Sequence, residues 1–576
     1  RLGRHFLLEQ AGGRPGLAGH HPGRRLHALD GAAGRVRRTA RTGRPWTGSF
    51  VRPQPARDGL AGPPGPARLL DRADAKPPAG SHACQRDEPA GPGGPGRHGV
   101  CAGARRGKGP SGIPRRSRLT DHASTMTLPW ADIVAILPEL IVAGAACLIL
   151  TLDPITPASR KEWLAWIGLG ALAACIGVTV SQMGATVMAF NDLVILDPYA
   201  GFWKLLLYAV SGLTILLSLA YLKEEALHLA EYYGFLLLSL TGMMVMVSAA
   251  DLLTIYLGME LMSLSLYVLA GIRRAEGRSL EASAKYFVLG AFSSGILLYG
   301  ISLLFGVAGS TRLSAIAAAV HGRSLDDPLL LLTMVLLVVG FGFKIAAVPF
   351  HMWTPDVYEG SPTSVTAFMA VAAKAASFGA FMRVFLEGLG GLKANWGWLV
   401  LVVCVATLAL GNVVAIVQTN IKRMLAYSSI AHAGYALIGV AVAGHATASG
   451  EVRSLGLASV LLYLSIYSFM TMGAFAVVAL LRKGGVEGEE IEDFTGLAKR
   501  QPVAAFLMLV FMVSLAGIPP TAGFIGKFYL FMGAVQAGLT WLAVVALLFA
   551  AVSAYYYLRV VMVMYMREPE ASVTVH

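Results

Sequence analysis

Two lysines stand inside strongly apolar runs of one stretch, GFGFKIAAVPFHMWTPDVYEGSPTSVTAFMAVAAKAASF, residues 340–378. They are Lys344 and Lys374. A charge at the centre of a membrane span costs several kcal/mol, and an ionisable residue kept there ordinarily faces a protein interior or a water-filled cavity. Lys374 lies about midway along the apolar run from Thr363 to Phe385, where its head would struggle to snorkel to an interface. Glu260 sits midway along a third apolar run, YLGMELMSLSLYVL. A lone glutamate at that depth must be protonated or paired. Lys527 follows AGIPPTAGF, Ala516 to Phe524. His432 lies in AYSSIAHAGY with Ser428, Ser429 and Tyr435 close by. The chemistry open to such a set is proton transfer. Desolvation drives a buried amine towards its neutral form and a nearby carboxylate drives it back, so a change of distance or hydration can load and unload a proton.

Other polar residues have a plainer reading available beside the functional one. Lys285, in EASAKYF, falls near the start of a span, where snorkelling competes with a proton-path role. His351, Asp356 and Glu359 belong to a polar segment from His351 to Ser364 that reads as a hairpin, serving as an interfacial cap or as a point of proton uptake. His432 is either a satisfied core histidine or part of a proton wire. Arg383, Glu387 and Arg559 sit near span ends and are expected to snorkel. The five cysteines are scattered with no C-x-x-C, so no iron–sulfur or zinc pattern is present. GLGALA at 168–173 formally matches a dinucleotide fingerprint but lies inside a membrane span, where its glycines suit helix packing. No nucleotide, flavin, metal or other cofactor site is expected in this chain.

The elements that must position these residues are membrane helices. Hydrophobic residues make up 55% of the chain and charged ones 14%, a membrane composition. The net charge of +13 is uneven: residues 1–125 hold 23 Lys/Arg and 8 Asp/Glu, and the other 451 hold 24 and 26. Basicity therefore supports no nucleic-acid partner for the main body. Residues 1–125 are rich in Arg, Gly and Pro without apolar periodicity and are expected to be disordered. They read as upstream sequence outside the native protein, with Met126 as its start. The alternative is a basic arm that binds lipid head groups. From Ile133 onward, apolar runs long enough to cross a bilayer fall at 133–151, 163–182, 199–221, 232–249, 251–270, 284–307, 329–352, 363–386, 396–418, 424–444, 456–481, 502–538 and 541–566. The fourth and fifth runs touch, and Asp251 is the expected turn between them. That is an all-α polytopic membrane protein of about 13 transmembrane helices.

Loop charge gives an orientation. Alternate loops carry Arg160, Lys161, Lys223, Arg273, Arg274, Arg278, Lys422, Arg423, Arg482, Lys483, Lys499 and Arg500, against Arg312, Arg323, Lys393 and Arg453 in the other set. The positive-inside rule then makes the first set cytoplasmic and starts the membrane domain on the outer face. The twelfth run is too long for one helix, at ~55 Å against a hydrocarbon core of ~30 Å. The prolines and glycines of AGIPPTAGF should break it between Gly517 and Gly523. Irregular backbone at membrane depth is tolerated only when packed in protein or lining a polar cavity.

KIAAVPFHMWTPDVYEGSPT strongly resembles the antiporter-like membrane subunits of proton-pumping NADH:quinone oxidoreductase, respiratory complex I, and HMWTPDVYEGSPT looks most like the subunit N branch. The resemblance covers about Met126 to Met566. It implies a bacterial inner-membrane protein with two inverted five-helix repeats, 232–386 and 396–566, after N-terminal helices in 126–231. The seventh and twelfth helices would be interrupted and would hold Lys344 and Lys527. Bacterial members usually have fourteen spans, so 567–576 is expected to be a truncated tail. Glu260 is expected to pair with Lys344, Lys374 to be the central relay, and Lys527 to lead to the outer half-channel. Lys285, His351, Asp356 and His432 are further path candidates. NADH, FMN, iron–sulfur clusters and quinone would belong to other subunits of the complex. The expected partners are neighbouring membrane-arm subunits and the lipid bilayer. The rival reading is a subunit of a multisubunit cation/proton antiporter, against which HMWTPDVYEG argues; a purely structural spacer would do better without four central ionisable residues.

Overall fold

A computed structural model describes residues 130–157, 160–225, 230–323, 327–445, 447–483, 486–568 and 573–575. The stretch 1–125 and the expected start at Met126 lie outside the described residues. Within them run α1 (Leu137–Leu152), α2 (Trp163–Gln182), α3 (Pro198–Glu224), α4 (Glu231–Ser248), α5 (Leu252–Ala270) and α6 (Gly277–Ala308). The seventh span is α7 (Pro328–Lys344) plus α8 (Trp353–Gly360), and the eighth is α9 (Thr363–Gly388). Then come α10 (Lys393–Ala415), α11 (Ile421–Gly444), α12 (Gly450–Leu480), the split pair α13 (Pro502–Ala516) and α14 (Ala522–Gln536), and α15 (Thr540–Met566). Ten helices are long and apolar enough to cross a membrane, and three shorter apolar ones are α1, α7 and α13, so thirteen spans are described.

Local chemistry sets the boundaries. Asp251 separates α4 from α5 as expected: its carboxylate accepts the N–H groups of Leu253 at 2.9 Å and Thr254 at 3.2 Å. That satisfies donors which every helix start leaves open. Asp197, Asp327, Asn420 and Ser449 cap α3, α7, α11 and α12 in the same way. The strands are small and confined to connections: β1 (Val187–Ala189) pairs antiparallel with β2 (Val194–Leu196), and β3 (Leu481–Lys483) with both β4 (Val486–Glu487) and β5 (Val573–Val575).

Packing repeats itself with a five-span period. Helix α4 packs on α5, α6 on α7 and α8, and α9 on α4; likewise α10 packs on α11, α12 on α13 and α14, and α15 on α10. Five is odd, so the second set enters the membrane from the opposite face and the repeat is inverted. Both broken spans fall at the same place in their repeat. The break in the twelfth span falls where expected, between Ala516 and Ala522. The segment His351–Ser364 is not a hairpin: most of it is α8, and the seventh span runs on past residue 352. Pro355 stands in the first turn of α8, where a missing N–H removes no helical hydrogen bond. The Trp353 ring stacks on Tyr286 at 4.5 Å and its Nε1 donates to Phe343 O at 3.1 Å, which pins the two half-helices together.

At the centre lies α9, whose most apolar window is entirely buried in protein. It is wound as π-helix over Met369–Ala373 and Arg383–Gly388. Single π turns inside α-helices are often found at functional sites. Close backbone contact holds the rest in place: a Cβ at Gly242 on α4 would lie 2.4 Å from Met262 N and 2.5 Å from Gly258 O on α5. Gly242→Val should therefore prevent accumulation of folded protein. Gly170→Val on α2, where nothing lies within 4 Å, should leave it intact. Membrane accumulation and detergent-extractable yield compare the two.

Candidate proton-transfer site

Each of the three deep lysines is held by neutral oxygen acceptors. Lys344, in the last turn of α7, donates to Ser263 Oγ on α5 at 2.7 Å, and Ser263 in turn donates to Met259 O at 2.6 Å. Lys374, at the end of the first π segment of α9, donates to the backbone oxygen and hydroxyl of Ser429 on α11, both at 2.5 Å. Tyr467 on α12 donates to the same hydroxyl at 2.9 Å, and its ring lies 5.8 Å from the ammonium. Lys527, on α14, reaches back across the break to Leu515 O at 3.0 Å and Ala516 O at 2.9 Å. These carbonyls end α13, where the helix dipole leaves partial negative charge that suits a cation. Its ammonium also lies 4.6 Å from the ring of Tyr435. All three lysines are buried.

The break that serves Lys527 depends on glycine. Gly517 ends α13 with φ +82, a left-handed conformation that only glycine adopts cheaply. A Cβ at Gly523 would fall 1.8 Å from Ser514 O. Gly523 N donates to Ser514 Oγ at 3.1 Å, so the start of α14 is tied to the end of α13.

His432 on α11 occupies a cluster of tyrosines. Its Nδ1 bonds to Tyr463 OH at 2.5 Å and its Nε2 to Tyr557 OH at 3.1 Å. Tyr557 OH meets Ser428 Oγ, next in sequence to the Ser429 that holds Lys374. The structure thus gathers Lys374, Ser429, Ser428, Tyr557, His432 and Tyr463 into hydrogen-bonded pieces between α9, α11, α12 and α15. The tyrosines carried no signal in the sequence, since aromatic residues are ordinary in apolar helices.

Glu260 and Lys344 do not form the expected ion pair. Glu260 Oε1 is buried without a hydrogen-bond partner, and Lys344 spends its bond on Ser263, three residues further along α5. The two share a face of α5, and the serine lies at the level of the ammonium. No hydrogen bond or ion pair joins Glu260 to Lys344. Lys285 and Asp356 do meet, at 2.7 Å. Asp356 also binds Arg423 at 2.8 Å, Glu359 binds the same Arg423 at 2.8 Å, and Glu281 binds Lys285 at 2.9 Å. This network borders a cavity of about 230 Å³. It lies on the face of the basic loops. His351 is buried in the break of the seventh span with Nδ1 unpartnered.

Arg383 does not snorkel. It is buried, its Nη2 bonds both carboxylate oxygens of Asp197 at 3.0 Å, and its Nη1 binds Glu387 at 3.3 Å. Arg559 turns inward as well, donating to Ile416 O at 3.2 Å and Gln418 O at 3.1 Å beyond α10. Both positions satisfy local oxygen acceptors that a reading by depth alone cannot see.

Two charged clusters gave no sign in the sequence. Glu139 on α1 and Lys204 on α3 form a buried ion pair at 2.6 Å, and Ser248 Oγ donates to the same carboxylate at 3.4 Å. Each lies within two turns of a helix start, so neither stood out as deep. On the basic-loop face, Glu487 binds Arg273 at 3.1 Å and Lys422 at 3.9 Å, and Lys422 binds Glu489 at 2.9 Å. Lys422 also donates to Ser361 O at 2.8 Å, and Thr363 N donates to Tyr221 OH at 3.2 Å. The hub therefore anchors the start of α9, the helix that carries Lys374. Burial alone would raise the Glu487 carboxyl, but Lys422 and Arg273 outweigh it and hold it below the usual range.

Among the described residues no group of three or more His, Cys, Asp or Glu side chains is placed to hold a metal ion. Fold and site define a polytopic membrane protein of the antiporter-like class: residues 249–553 match a family model described as NADH:quinone oxidoreductase/Mrp antiporter, TM. NADH-quinone oxidoreductase subunit N 2 of Rhizobium meliloti (strain 1021) is 49% identical over 444 residues, 77% of this chain and 90% of that protein. Subunit N of Trichlorobacter lovleyi is 48% identical over 436 residues, 76% of this chain and 88% of that protein. The chain belongs to the NADH-quinone oxidoreductase subunit N family. A chain of respiratory complex I from Thermus thermophilus with bound aureothin superposes with a TM-score of 0.63 at 34% identity, covering 75% of this chain and 91% of that one. A chain of the Mrp complex from Dietzia sp. DQ12-45-1b shares the fold, with a TM-score of 0.62 at 22% identity over 77% of this chain and 82% of that one.

Both charged clusters can be tested. Lys204→Met strands a buried carboxylate and should destabilise the protein by roughly 3–5 kcal/mol, whereas Glu139→Gln with Lys204→Met should recover most of that loss. Thermal unfolding in detergent reads both. The Glu487 carboxyl is held low, so its contribution is present above its unfolded value of about 4.3 and fades as pH falls through the lowered folded value. The hydrogen-exchange protection factor at the start of α9, corrected for the intrinsic pH dependence of exchange, should therefore fall on acidification below that range, and Glu487→Gln should remove this pH dependence.

Proposed function

We propose that this chain is a proton-translocating membrane-arm subunit of a bacterial NADH-quinone oxidoreductase. It lies in the inner membrane with the basic loops in the cytoplasm and the start of α1 on the outer face. Quinone reduction in a partner subunit supplies the energy, and the redox centres belong to other chains. Lys344, Lys374 and Lys527 carry the proton in turn. Uptake from the cytoplasm runs by the Lys285–Asp356 cluster and the break at His351, and His432 with its tyrosines links Lys374 towards Lys527. Glu260 biases Lys344 through space, so movement of a neighbouring subunit against α5 can change its load.

One observation supports this reading most: the three buried lysines are solvated by hydroxyls and carbonyls, with no carboxylate in contact. An amine that loses its proton from a salt bridge leaves an unpaired buried carboxylate, which is strongly unfavourable. An amine held by a serine or a carbonyl leaves no such charge behind. The cation/proton antiporter reading has the shared family model and the fold behind it, whereas the relatives at 48–49% identity are named subunit N.

Lys374→Met should assemble and lose proton pumping by at least tenfold, measured as NADH-driven acidification of inverted membrane vesicles. Lys374→Arg keeps the charge but cannot release the proton at any reachable pH, so it should also pump poorly. Full pumping by Lys374→Met would reduce the residue to packing.

A further inference from the structure

Four cations stand in the loops of the sparsely charged face: Arg312, Arg323, Lys393 and Arg453. Arg312 is matched by Asp192 at 3.4 Å. Lys393, at the start of α10, and Arg453, in the first turn of α12, instead line one cavity of about 220 Å³. Its other walls include Leu386, Trp396, Gly444 and Leu457, and no carboxylate is among them. Among the described residues neither cation has an ion pair, and Arg453 Nε is buried without a hydrogen-bond partner. Arg453 acts on Lys393 as a like charge. Lys393 also borders a second cavity of about 90 Å³ that continues past Trp398 and Trp541. Both tryptophans are exposed at helix ends.

Two cations beside one cavity repel each other, and folding alone gives no reason to place them so. An anion between them removes the repulsion. The cavity is polar at its cationic wall and apolar along Leu386 and Leu457, and tryptophans at span ends mark the level of the head groups. We infer that this cavity binds an anionic phospholipid of the leaflet on the sparsely charged face. Its phosphate is clamped by Lys393 and Arg453, its glycerol lies against Leu386 and Leu457, and an acyl chain descends over the outer surfaces of α10 and α12. A guanidinium presents a planar fork that fits a phosphate oxygen pair, and an ammonium serves as a point charge. Basic pockets between membrane helices are a recognised way of holding acidic lipids.

The test uses the whole complex, purified in mild detergent and delipidated. Native mass spectrometry then follows rebinding of phosphatidylglycerol, phosphatidylcholine or inorganic phosphate. The complex should retain phosphatidylglycerol in preference to phosphatidylcholine. Lys393→Gln with Arg453→Gln should weaken that binding roughly tenfold or more. Gly390 offers a second route that leaves both charges in place, because it lines the cavity and a Cβ there would meet nothing within 4 Å. Gly390→Leu should fill the space and also abolish retention. Arg312→Gln, on the same face but outside the cavity, should change nothing. Equal retention of phosphatidylglycerol by the double variant and by Gly390→Leu would overturn the inference. So would indifference between the two lipids, saturation by inorganic phosphate alone, or a cross-link from residue 390 to a segment of a neighbouring subunit in the native complex.

Discussion

An ammonium group taken out of water needs oxygen atoms around it, and much of this structure supplies them. Desolvation of such a group costs several kcal/mol even when partners are found. Here the partners are a serine hydroxyl on α5, a serine on α11 and two carbonyls freed by the break between α13 and α14. Each acceptor comes from a different element than its lysine. The acceptors therefore explain why α7, α9 and α14 are pressed against their neighbours as they are. They also explain why irregular backbone is tolerated at membrane depth: the carbonyls released at Leu515 and Ala516 are used at once by Lys527.

The two repeats solve the same problem with different chemistry. In the first, Lys344 closes the end of α7 and looks outward along α5 to a serine and, beyond it, to Glu260. In the second, Lys527 lies past the break and looks back at the helix end. The central lysine, Lys374, draws on the second repeat although it belongs to the first. Inverted symmetry of the backbone thus carries an asymmetric line of side chains, consistent with a path that must have a beginning and an end.

Much of this was legible in the residue order. Charged residues inside runs of Leu, Val, Phe and Ala are conspicuous, so Lys344, Lys374, Lys527 and Glu260 stood out at once. AGIPPTAGF announced the second break because proline and glycine act on the chain locally. The interruption of the seventh span followed from the family resemblance, but the segment after it was misread as a hairpin, since IAAVPFHM has one proline and α8 resumes a helix through TPDVYEG. Partners were the harder part. Nothing in the spacing of α5 distinguishes Ser263 from Glu260 as the acceptor for Lys344, because both lie on one face and only the height of α7 decides. Glu139 and Lys204 lie close to helix starts, and their burial depends on how α1, α3 and α4 close over them.

The order of synthesis gives the buried helix α9 a further meaning. Lys374 meets its acceptor at Ser429, which lies 55 residues downstream. The tyrosine that donates to the same serine, Tyr467, is further on still. When α9 leaves the ribosome, none of α11, α12 or α15 has yet been made, and the helix that ends wholly enclosed has nothing to enclose it. Biogenesis of this subunit thus passes through a stage in which its central lysine has no native acceptor.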